Sequence, residues 1–128
     1  MGAWGAGNFE NDDALDWLAV LQAEGLPAAG AAIQDVLTLA DDYLEAPTCC
    51  AALAAAEVIA ALRGRPASRL PDELVEWLGR VSGDPGEQVA TNARNAVDAI
   101  RRSSELRELW EDDEEWKQEV DGLYARLQ

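Results

Sequence analysis

The sequence predicts an all-α protein, a compact bundle of about six or seven helices with short loops. Three observations predict it. Apolar residues recur at three- and four-residue spacing along most of the chain. Capping residues, prolines and glycines fall where these periodic stretches stop. No stretch alternates convincingly as a half-buried strand does. Short loops make sequence neighbours pack antiparallel. Solenoid-like helix pairs stay open as an arrangement, although no clear repeat period is visible. The 128 residues read as one domain, 1–128, large enough to bury a core without staples.

The first helix is placed at Asp12 to Glu24, with Leu15, Trp17, Leu18 and Leu21 inward and Gly25 past its end. Asn11 or Asp12 caps it, and Glu10 and Asp13 suit its dipole. The second runs from Ala28 to Tyr43, with Ile33, Val36, Leu37, Ala40 and Leu44 on one face. The third, Thr48 to Leu62, is apolar nearly all round, interrupted only by Glu57. Such a helix belongs in the middle of the domain. Pro71 opens a fourth helix ending near Val81. Asp84 caps the fifth and Pro85 is its first residue; it continues to Arg102. A short helical turn holds Leu106, Leu109 and Trp110, and a last helix from Asp113 groups Trp116, Val120, Leu123, Tyr124 and Leu127.

Residues 1–10 form a Gly-rich aromatic segment with Trp4 and Phe9. Disordered termini usually lack large aromatics, so this segment is expected to fold back as a hook on the core, with Trp4, Phe9 and Trp17 as structural anchors. Ala6 sits where a myristoylation signal wants Ser or Thr, and Glu10 where a dinucleotide loop wants its third glycine. The opening MGAWGAGNFENDDALDWL resembles that of the bacterial domain-of-unknown-function family 4259, through Trp4, Gly5, Phe9, Glu10, Asn11, Asp12, Ala14, Asp16 and Trp17. The stretch from Ser104 to Trp110 is similar to that family's Ser-Glu-Leu-x-x-Leu-Trp segment. The resemblance implies a small helical bacterial protein, and it carries no activity, cofactor or partner.

The formal net charge is −15, and its distribution is uneven. No Lys or Arg occurs before Arg63, whereas ten carboxylates do. Such a surface repels nucleic acid and anionic membrane and favours a basic partner. The expected contact residues are Asp41, Asp42 and Glu45, then Asp12, Asp13 and Asp16. Solubility alone is the plainer account of the same charge. There is no histidine, which removes triad catalysis and His-containing zinc sites. No phosphate-binding loop and no Cys-x-x-Cys pair occurs. Cys49 and Cys50 sit among alanines and read as small apolar residues of a reducing compartment. With no secretory signal and no membrane-length apolar run, the expected location is cytoplasmic.

No catalytic, metal or cofactor residues stand out, so the leading expectation is a non-catalytic, protein-binding helical domain. An immunity or antitoxin-like protein that neutralises a basic toxin is the first alternative. A carboxylate- or metal-dependent enzyme is the second. The charge pattern also bears on stability. Crowded carboxylates bind protons more tightly in the folded chain than in the unfolded one. Stability from this source grows as pH falls from neutral towards mildly acidic, and salt acts in the same direction by screening. Melting curves at neutral pH should shift upward on adding sodium chloride; no rise would show that the charges are spaced too widely to repel.

Overall fold

A computed structural model of the chain describes residues 5–39, 42–81 and 83–128. Trp4 of the hook, Ala40 and Asp41 lie outside these. The described residues form seven helices and no strand: α1 (Asp12–Glu24), α2 (Pro27–Thr38), α3 (Ala46–Leu62), α4 (Asp72–Arg80), α5 (Glu87–Arg102), α6 (Glu105–Leu109) and α7 (Glu114–Arg126). The protein is therefore all-α.

The third helix is the axis of the bundle. Cys49, Cys50 and every residue from Ala52 to Ala60 are buried, and α3 packs against α1, α2, α5, α6 and α7. Six of the buried positions from 52 to 60 are alanine or valine. Small side chains let neighbouring backbones approach on several faces, which a Leu-rich helix of this kind would prevent. The two cysteines are free and buried, and burial pushes both thiols up to about 12. At that value they stay protonated and act as small packing groups.

Local signals explain most helix ends. The Asn11 Oδ1 accepts from Ala14 N at 2.8 Å and caps α1. Ser104 Oγ accepts from Arg107 N at 3.0 Å, and Asp113 Oδ1 accepts from Trp116 N at 2.9 Å. At the start of α3 the neighbouring side chain, Glu45, makes no cap. Instead Glu105 on α6 reaches across, and its Oε1 accepts from Ala46 N at 2.6 Å. A charge from a distant part of the chain thereby meets the positive end of the α3 dipole.

Three boundaries differ from the sequence reading by two residues or more, one of them the start of α3, at Ala46 and not Thr48. The second helix stops at Thr38, five residues before Tyr43. Its last turn holds no basic residue, and carboxylates beyond it would oppose the negative end of the dipole. The chain turns instead, with Asp42 N donating to Leu39 O, and Leu44 is buried from a loop rather than from the helix. The fifth helix starts at Glu87, so Pro85 precedes it and Asp84 is not its cap. Gly86 takes the cap position at φ 101°, a conformation few other residues reach without strain. Asp84 Oδ1 accepts from Gly86 N and pairs with Arg63 at 3.3 Å.

Residues 5–10 of the hook lie against the bundle. Ala6 and Phe9 join the core, and Phe9 is only 9% exposed. Gly5 and Gly7 sit under the flexible, exposed side chain of Glu10, which would have to swing away from a larger residue. A Cβ on either would lie 2.5–2.8 Å from the Glu10 carboxylate, whose Oε1 accepts from Gly7 N. The glutamate thus folds back over its own approach segment. Phe9→Ala is expected to cost about 3–5 kcal/mol, measured by urea denaturation. A loss under about 1 kcal/mol would mean that the ring contributes little packing.

Candidate functional site

The most unusual residue of the core is Glu57. It lies in the middle of α3 and is 1% exposed. An unpaired carboxylate there would be prohibitively destabilising. Arg126, at the end of α7, meets it with two parallel bonds, Nη1 to Oε1 at 2.8 Å and Nη2 to Oε2 at 3.0 Å. This fork geometry is the strongest form of carboxylate recognition. Asn8 Nδ2, from the hook, donates to Oε2 at 2.8 Å. Arg126 also donates to the carbonyl of Arg65 at 3.2 Å. Three remote segments therefore converge on one carboxylate. The pairing holds the Arg126 guanidinium above its already high value, chiefly through the bonds to Glu57.

A cleft of about 440 Å³ opens beside this network. Hook residues Gly7 to Glu10 form one wall, the loop Ala67 to Pro71 forms another, and Glu57 and Glu119 complete it. Phe9, Leu70 and Pro71 are its apolar part. Glu119 titrates above the usual carboxylate range. Its cleft-side desolvation is the main cause, although the side chain reaches solvent, and the charges of Glu57, Glu10 and Glu115 add to it against Arg126. A group with a raised folded pKa contributes stability when protonated, and that contribution is lost as pH rises through the folded value.

A second surface lies at the junction of the α2–α3 loop and α6. The Tyr43 hydroxyl donates to Glu108 Oε2 at 2.9 Å, and this bond, with the charges of Glu108, Glu105 and Glu45, pushes the phenol up to about 12. Tyr43 is 57% and Leu109 59% exposed, the highest values among the five exposed large hydrophobics of the described residues. A shallow depression of about 460 Å³ continues along Glu108, Leu109, Trp110, Glu111, Asp112 and Asp113. Arg107, on the same helix, turns its Nε to the Arg101 carbonyl at 2.9 Å.

The sequence-derived candidates divide between these places. Asp42 and Glu45 are exposed at the Tyr43 surface. Asp12, Asp13 and Asp16 are exposed on α1 and share no hydrogen-bond partner with it among the described residues. Phe9 and Trp17 are buried in the core. Asn8, Arg126, Tyr43, Glu105 and Glu108 escape a reading of the sequence alone. One signal pointed to the first two: a lone charge in an otherwise apolar helix must have a partner. Among the described residues, no group of three or more His, Cys, Asp or Glu side chains is placed to hold a metal ion, and no helix is long and apolar enough to cross a membrane.

The fold and these two surfaces define a strongly acidic, all-helical domain closed by one buried ion pair. The chain belongs to the family described as Domain of unknown function (DUF4259), whose model matches residues 2–120. No curated protein and no solved structure matches it.

Removing one partner of the pair should expose its importance. Arg126→Ala leaves Glu57 buried with only Asn8 and is expected to cost about 3 kcal/mol. Equilibrium unfolding checks this. A loss below about 1 kcal/mol would mean that water reaches Glu57 freely once the arginine is gone.

Proposed function

We propose that this domain is non-catalytic and binds another protein, and that the Tyr43 surface receives a basic partner. The observation that carries the reading is the combination of two exposed large side chains, Tyr43 with Glu45, Glu105 and Glu108 about it, and Leu109 beside Glu108, Glu111, Asp112 and Asp113. Apolar anchors inside a polar rim are the usual anatomy of a protein interface. The surrounding negative charge selects a basic partner and accelerates its approach. Asp42 and Glu45 are the exposed residues best able to steer it, and Asp12, Asp13 and Asp16 extend the field. The narrower version is an immunity or antitoxin-like protein, in which the basic partner is a toxin. The carboxylate-enzyme reading has less support, because Glu57 is already engaged by Asn8 and Arg126.

Co-purification from the native host identifies the partner. The double variant Asp42→Lys, Glu45→Lys is then expected to slow association about tenfold at low salt. Its stability should change by under about 0.5 kcal/mol, because both positions are exposed. An on-rate indifferent to the double reversal and to ionic strength would reduce the acidic surface to a solubility device.

A further inference from the structure

The cleft beside Glu57 contains a polar atom that the fold leaves unused. Asn8 is 94% buried, its residue exposure being 6%. Its amide orientation is fixed by chemistry, since an ionised Glu57 only accepts and must face the NH₂ group. The Asn8 Oδ1 is then an acceptor, and it has no hydrogen-bond partner among the described residues. A buried orphan acceptor of this kind is rare in a folded protein and calls for a donor. Asn8 lines the 440 Å³ cleft, where the other polar groups are mostly acceptors as well: Glu10, Glu57 and Glu119 against Arg69 and Ser68.

We propose that this cleft binds an organic cation carrying N–H donors, an alkylammonium or alkylguanidinium group with a short apolar body. The N–H groups would supply the donor that Asn8 Oδ1 lacks and bond to Glu119, and the apolar body would rest on Phe9, Leu70 and Pro71. Charge supports the choice. Glu119 faces Glu57, Glu10 and Glu115 with Arg126 opposing them, so a further cation relieves the remaining repulsion, whereas an anion would add to it. The size of the cleft suits a small ligand. The same chemistry is offered by a free amine and by an arginine or lysine side chain of a polypeptide. This inference is independent of the Tyr43 surface.

Titration followed by calorimetry and by side-chain amide NMR tests it, with agmatine and cadaverine as free cations. A capped Gly-Arg-Gly peptide tests the polypeptide source. Tetramethylammonium has the same charge and no N–H, and controls for general attraction to an acidic protein. Saturable binding at or below about 1 mM is expected for at least one N–H cation, with the Asn8 amide signals shifting. Tetramethylammonium should bind at least about tenfold more weakly, the worth of a charged hydrogen bond. The relative affinity of agmatine and the peptide assigns the source. Glu119→Gln, at an exposed position that leaves the fold intact, should weaken binding about tenfold. The Asp42→Lys, Glu45→Lys variant should bind agmatine as the parent does. Equal binding of tetramethylammonium, no effect of Glu119→Gln, or an unmoved Asn8 amide would overturn the proposal. The last result would assign Oδ1 to a water in the smaller void of about 30 Å³ that Asn8 also lines with Trp110 and Trp116.

Discussion

One carboxylate organises this protein. Glu57 sits in the least polar helix of the chain, where a charge is tolerated only when it is paired. Its charge obliges the hook to bring Asn8 and the last helix to bring Arg126. The buried surface of α3 is made mostly of small side chains, and such a surface is permissive, because several sliding arrangements of neighbouring helices bury it about equally well. A bidentate ion pair has one geometry. The network therefore supplies a fixed registration among α3, α7 and the hook, whatever its net contribution to stability.

The same logic of remote pairing recurs at the N-terminus of α3. There Glu105 caps Ala46 N from α6, and Glu105 N donates to Leu44 O at 2.9 Å. Ser104 beside it is buried and donates to Ile100 O while capping α6. The middle and the start of the central helix are thus tied by glutamates to partners far away in the chain. These ties also create the two candidate surfaces, since the cleft lies beside Glu57 and the Tyr43 surface lies beside Glu105.

Much of the fold was legible because it rests on local chemistry. Caps such as Asn11 and Asp113, and the three-to-four spacing of Leu18, Leu21, Val97 and Ile100, act within a few residues. What was not legible acts across long separations. Asn8 and Glu57 are 49 apart, Tyr43 and Glu108 are 65 apart. Nothing in either local sequence names its partner. The early end of α2 is intermediate: periodicity continued to Leu44, which is buried, but the burial is achieved by a loop. Hydrophobic spacing reports that a residue goes inside and leaves open by which backbone path it gets there.

The separation between Glu57 and Arg126 sets a clock on biosynthesis. Arg126 follows Glu57 by 69 positions in the chain. At ribosomal speeds of about 5–20 residues per second, the arginine follows the glutamate by roughly 3–14 seconds. Throughout that interval, burying the middle of α3 with Glu57 ionised would strand a charge, so the burial of this helix becomes fully favourable only when α7 docks. The ion pair then acts as a latch, and the bundle locks into its native registration only once the final helix has arrived.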